Sequence, residues 1–382
     1  MKKASKPILY RLKPVDLAGH RFGVSMTIPE PSAERQVLTL PAWIPGSYLI
    51  RDFSRHIESI EAWSGRRRIG LTKINNHSWS TERCRGPLRI EIVVYAWDLS
   101  VRGAHLDETH GFFNGTSVFL MAKGLEHLPC RLTIFPPDEV SGWHVFTTLP
   151  RLPDQTDRHG FGTYQSDDYD ALIDHPVEMG APKKLRFKAC GSEHVMVFTG
   201  VTPNLDLDRI GQDVKKICEA QIRFFEPQTA KAPFLDSADH YLFMTMVTGD
   251  GYGGLEHRAC TALMAARKDL PTIGQAKVPE GYQTFLGLVS HEYFHTWNVK
   301  RIKPAAFVPY DLQRENHSRL LWIFEGFTSY YDDLLLLRSG VISLRDYLKA
   351  LSKQITSVMN GPGRHKQSVA ESSFDAWTRY YK

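Results

Sequence analysis

One five-residue pattern in the chain has residue types and spacing suited to metal chemistry: His291-Glu292-Tyr293-Phe294-His295. On a helix, residues four apart share a face, so both imidazoles can reach one ion. Neutral imidazole is a good zinc ligand, and Glu292 beside it is placed to take a proton from activated water. A catalytic zinc needs a third protein ligand and one open position. Phe324-Glu325-Gly326-Phe327 supplies the candidate. An apolar stripe through Leu320, Phe324, Phe327, Tyr331 and Leu334 would pack inward and leave Glu325 about 100° off it, turned toward the metal. Taken alone, Glu325 reads as an ordinary solvated helix glutamate. Ser329 and Asp332 share its face, and either could orient a ligand, with solvated surface the simpler account of each.

A second informative segment is the turn Gly253-Gly254-Leu255-Glu256-His257, upstream of the metal pattern. Glycines there let a substrate backbone approach closely. A strand edge beside a metal can bind an extended peptide by β-addition. The Glu256 carboxylate could pair with a substrate α-ammonium group or, equally, with a nearby lysine or arginine. His257 reads by default as a structural hydrogen-bonding residue. Lys300, Arg301 and Lys303 could attract a peptide carboxylate, although a basic helix end complementing the helix dipole is simpler. Asp52, Asp98, Asp107 and Glu108 read as exposed surface.

The elements that must position these residues change type along the chain. Arg35–Trp43, Arg89–Val101, Arg131–Phe135 and His194–Thr199 are rich in β-formers with partial alternation, and turn residues cluster between them. From Pro203-Asn204 onward, Ile210, Val214, Ile217, Cys218, Ile222 and Phe225 recur at helical spacing. A strand is expected at Tyr241–Val247, and long helices near 284–300, ended by Pro304, and near 316–338. The expected class is α+β, with a β-rich sandwich or saddle-like domain over 1–195 and a mixed, mostly helical domain over 196–382.

With 382 residues, 42% of them apolar and 23% charged, the chain is long enough for two or three globular domains and excludes wholesale disorder. A net charge of +5 from 47 basic and 42 acidic residues is too small and dispersed for a dedicated nucleic-acid binder. Five widely spaced cysteines form neither a metal pattern nor a disulfide framework, which suits a reducing compartment. The longest apolar runs are too short for a membrane span or a signal peptide, so a cytoplasmic location is expected. The sequence sets no oligomeric state.

At this point HEYFHTWNVKRIKP and FEGFTSYYDD resemble the glycyl aminopeptidase family of zinc metallopeptidases, relatives of aminopeptidase N that usually carry a C-terminal PDZ domain. The resemblance extends to PAWIPGSYLIRDFSRHI and YAWDLSVRGAHLDETHGFFNG, which are similar to the family's N-terminal β domain. GPGR and ESSFDAWTRYY are similar to later catalytic segments. The resemblance implies a thermolysin-like catalytic domain with one Zn2+ per chain on His291, His295 and Glu325, and with Glu292 as general base. It implies that Glu256 receives the free amino terminus of a peptide, glycine or alanine being preferred, beside the backbone approach that Gly253 and Gly254 allow. Those relatives usually have asparagine where this chain has His257. They also place a tyrosine on the oxyanion in a segment expected beyond Lys382, so the chain is expected to stop short of that segment and of the PDZ domain. Two rivals stay open. One is a zinc endopeptidase, indifferent to the substrate amine, and the other is a zinc-stabilised peptide-binding protein with little catalysis.

Overall fold

The computed structural model describes residues 6–32, 34–275 and 277–382. The chain forms two compact units, one of Met1–Ala181 with Leu312–Arg314 and one of Pro182–Asp311 with Glu315–Lys382. The division after Ala181 replaces the expected one after residue 195. The reason is local. The second unit opens with its own hairpin, Lys183–Ala189 and Ser192–Thr199, whose β-rich composition matches the first unit. Its two-residue turn, Cys190-Gly191, has positive φ at both positions (47° and 83°), the geometry that matches the twist of paired strands. Among the described residues the five cysteines are free, and no helix is long and apolar enough to cross a membrane.

The first unit is β-rich, as expected, with one eight-stranded and two four-stranded sheets among the described residues. Its central strands Arg21–Ile28 and Leu88–Tyr95 alternate buried and more exposed residues, as half-buried antiparallel strands should. The expected strand 35–43 shrinks to Val37–Thr39.

The second unit is built on a five-stranded mixed sheet. In spatial order its strands are Lys183–Ala189, Ser192–Thr199, His240–Thr248, Cys260–Ala266 and Gly253–Glu256. The pairings Ser192–Thr199 with His240–Thr248 and His240–Thr248 with Cys260–Ala266 are parallel. The outer pair, Gly253–Glu256 with Cys260–Ala266, is antiparallel. Gly253 and Gly254 therefore lie in an edge strand, where a turn was expected.

Helix Leu207–Phe225 starts at Asp206, whose carboxylate accepts from the Arg209 N–H, and it buries Ile210, Val214, Ile217, Cys218 and Ile222. Helix Gly281–Phe294 carries the metal pattern and is apolar on almost every side, as a helix enclosed by protein must be. On one side Tyr293 packs on Tyr241 and Phe243, with ring centroids 4.8 and 5.9 Å away. On another, Phe294 packs on Phe225 and Tyr331 at 4.8 and 5.6 Å. The rotation of this helix is fixed by buried polar contacts. Gln221 Nε2 donates to the Ser290 carbonyl and hydroxyl at 2.8 and 2.9 Å, and Ser290 Oγ donates to the Asp332 carbonyl at 2.9 Å.

The expected helix over 316–338 divides into a π-helical turn, Trp322–Gly326, and an α-helix, Phe327–Arg338. A π-turn adds a residue to the cycle, so the inward stripe slips. Phe324, Thr328, Leu335 and Leu336 are buried, whereas Leu320 and Phe327 of the expected stripe are exposed.

Ser290→Ala should destabilise the second unit by about 1–3 kcal/mol, because it strands buried polar groups on two neighbouring helices. Urea unfolding should show this as a lower midpoint with an unchanged slope.

Candidate metal centre and substrate edge

His291 lies in the last turn of helix Gly281–Phe294, and His295 caps it with backbone still helical (φ −60°, ψ −18°). Their rings stand 4.7 Å apart and nearly perpendicular. The helix ends earlier than the expected residue 300, and the cause bears on the site. Had it continued, the Asn298 carbonyl would accept from the Ile302 N–H. Instead Ile302 bonds back to the Trp297 carbonyl at 2.8 Å. The Asn298 carbonyl is turned to His295, whose Nδ1 donates to it at 2.8 Å. A carbonyl only accepts, so Nδ1 carries the proton and the Nε2 lone pair of the neutral ring stays available.

His291 is oriented in the same way by a carboxylate, with its Nδ1 3.0 Å from Asp332 Oδ2. Burial works against charge on His291, yet its bonds to Asp332 and Glu325, with the charge of Glu292, raise it well above the usual imidazole range. Burial pushes the Asp332 carboxyl up, partly offset by His291. The neighbouring Asp333 is pushed to about 6 by burial and by the charge of Asp332.

Glu325 completes the group from the π-helical turn. Its Oε2 lies 3.6 Å from His291 Nε2 and 3.8 Å from His295 Nε2. Two donors each about 2.0–2.1 Å from one tetrahedral ion stand roughly 3.4 Å apart, so these separations suit a shared zinc with little movement. The donor set, two imidazole nitrogens and one carboxylate, fits that ion. Asn298 also braces the turn holding Glu325. Its Nδ2 donates to the Ile323 carbonyl at 3.2 Å and to Thr328 Oγ1 at 3.3 Å.

Glu292 is buried on the side of the helix facing the edge strand. A Cβ on Gly254 would lie 2.1 Å from Glu292 Oε1 and 2.3 Å from its Cδ. Any side chain at Gly254 would therefore push Glu292 aside. Gly253 is buried in the same strand. Glu256 ends that strand, buried, with Oε1 lacking a hydrogen-bond partner. One donor atom each of Glu256, Glu292 and His295 lies within 4.8 Å of the others. The substrate-edge and metal residues named from the sequence thus converge in one place. His257 is buried at the hairpin turn, where its N–H donates to the Cys260 carbonyl at 2.9 Å. Arg301 is used structurally. Its guanidinium bonds Asp236 at 2.6 and 3.0 Å and the carbonyls of Thr296 and Arg258 at 2.7 and 3.1 Å.

Asn298 and Tyr252 had not been singled out from the sequence. Asn298 gave no signal, because its role depends on where the helix ends. Tyr252, in the glycine-rich approach to the edge strand, is exposed, and the carboxylates of Asp332, Glu292 and Asp333 add to the upward shift of its phenol.

Asp332→Asn keeps the shape but removes the carboxylate behind His291. Zinc affinity should fall about 10–100-fold, with folding intact. Competition against a chelating dye measures it, and unchanged affinity would exclude the orienting role.

Two family models match the chain. The peptidase M61 N-terminal domain matches residues 9–181, and the M61 glycyl aminopeptidase model matches residues 284–382. No curated protein gives a significant match. Among solved structures, an aminopeptidase N family protein from Idiomarina loihiensis is 47% identical, with a TM-score of 0.93. The alignment covers 98% of this chain and 62% of that one, so this chain spans less than two thirds of that relative's length. An M1 zinc metallopeptidase from Deinococcus radiodurans, solved with a Tyr-Ser-Ala substrate, is 12% identical, with a TM-score of 0.54 over 98% of this chain and 78% of its own. That second likeness is one of fold alone. The two models describe successive parts of one family and cover most of the sequence between them: the chain belongs to the M61 glycyl aminopeptidase family.

Proposed function

We propose that the protein is a zinc metallo-aminopeptidase that removes N-terminal residues, preferentially glycine or alanine, from peptides with a free amino end. The second unit, Pro182–Asp311 with Glu315–Lys382, is read as a thermolysin-like catalytic region. The observation that carries this reading is the convergence of His291 Nε2, His295 Nε2 and Glu325 Oε2 beside a buried glutamate and an edge strand. His291, His295 and Glu325 would hold one zinc, which when bound supplies Lewis acidity toward water and a peptide carbonyl.

The chain's own residues do the rest. Gly253–Glu256 is the edge strand of the sheet, and an edge strand can take up an extended peptide as an added strand. Gly254 lets Glu292 lie against that backbone, so the base sits next to the bond to be cut. Glu292 takes a proton from the attacking water and delivers it to the leaving amine. Glu256, whose buried Oε1 has no partner, receives the substrate's α-ammonium group. That ionic contact fixes the distance from the amino end to the metal ligands and so selects the first peptide bond.

Glycyl and alanyl amides should be hydrolysed and their N-acetyl counterparts left intact. Glu292→Gln should retain zinc while turnover falls by about 10²–10⁴-fold. Equal cleavage of free and acetylated substrates would replace the reading with an endopeptidase. Peptide binding with zinc present and no cleavage of either would leave a binding protein.

A further inference from the structure

The first unit carries a second set of metal-ligating side chains. Strands Ala104–Leu106 and His110–Phe113 form an antiparallel hairpin in which Phe112 pairs with His105 and Gly111 with Leu106. His110 therefore stands opposite Asp107, whose N–H donates to the His110 carbonyl at 3.0 Å. Residues two apart on a strand share a face, so His105, Asp107 and His110 project together. One donor atom from each lies within 4.8 Å of the other two. His105 Nε2 is 3.2 Å from Asp107 Oδ2, and the two imidazole rings stand 5.0 Å apart.

Burial, a second carboxylate and a firmly held Asp107 separate this group from an ordinary polar surface. Both histidines are buried, at 2% and 5% exposure. The buried carboxylate of Glu178, on the adjoining strand Val177–Gly180, lies 3.2 Å from His110 Nδ1. That is the relation Asp332 bears to His291, and it leaves His110 Nε2 as the nitrogen for an ion. His105 Nδ1 is buried with no hydrogen-bond partner. The ring nitrogen turned to Asp107 is Nε2, so Nε2 is the one an ion in this group would take, and Nδ1 lies on the far side of the ring. Asp107 itself is rigid: its Oδ1 accepts from the Thr109 N–H and hydroxyl, each at 2.6 Å, and from the His110 N–H at 3.0 Å. Trp97 covers the group, stacked 4.9 Å from His105.

We propose that His105, Asp107 and His110, with Glu178 orienting His110, bind a second divalent transition ion of the zinc class, independent of the centre at His291. Two imidazoles with carboxylate select such borderline ions over magnesium or calcium.

Equilibrium dialysis of the full chain against saturating zinc, followed by metal analysis, tests this. Two equivalents are expected. One should survive His291→Ala with His295→Ala, and that remaining equivalent should be lost when Asp107→Asn or His110→Gln is added. Asp107 lies at the hairpin tip, so Asp107→Asn decides the matter if His110→Gln fails to fold, with far-UV circular dichroism as the check. A parent protein whose bound zinc is lost entirely with His291→Ala and His295→Ala would overturn the proposal, as would a second equivalent that survives Asp107→Asn in a folded chain.

Discussion

The candidate centre depends on which nitrogen of each buried imidazole holds its proton. A neutral histidine has one donor and one acceptor nitrogen, and only the acceptor can face an ion. In His295 the choice is forced by the Asn298 carbonyl at Nδ1, and in His291 by the Asp332 carboxylate. Both Nε2 atoms then point at Glu325. The surrounding architecture holds these two contacts in place. Ser290 ties the metal helix to Gln221 and to the Asp332 backbone, so the helix cannot rotate without losing buried hydrogen bonds. Aromatic packing of Tyr293 on one side and Phe294 on the other restrains the same rotation.

Asn298 links the two halves of the ligand set. Its carbonyl holds His295, while its amide holds the widened turn that carries Glu325. An uninterrupted α-helix through residue 300 would have used that carbonyl internally, and an α-helical 322–326 would not have the same carbonyl geometry at Ile323. Both departures from regular helix fall at the candidate ligands, and π-turns are frequent at functional sites. Opposite them, the edge strand needs glycine at 254 because the Glu292 carboxylate occupies the space of a side chain.

Local chemistry was the most readable part of the sequence. His291, Glu292 and His295 followed from spacing alone, since four residues on a helix bring two imidazoles to one side. The buried face of Leu207–Phe225 followed from its period. Glu325 lies 3.6 and 3.8 Å from His291 and His295, yet the apolar stripe expected beside it is not the buried one. A π-turn leaves no mark in hydrophobic spacing, and Phe327 lies outside while Thr328 lies inside. The domain division was misplaced because the second unit begins with a hairpin as β-rich as the strands before it. Gly253 and Gly254 read as a turn because glycine is usually punctuation. Their actual reason is close approach by Glu292, a tertiary contact that no local pattern encodes.

The most direct test is anomalous diffraction at the zinc edge from crystals grown with zinc. The account predicts a peak about 2.0–2.1 Å from Nε2 of both His291 and His295, with a Glu325 oxygen as the third protein ligand. A peak bonded to either Nδ1 would contradict it. So would an ion held by His295 with Glu256 and Glu292, the competing group next to it.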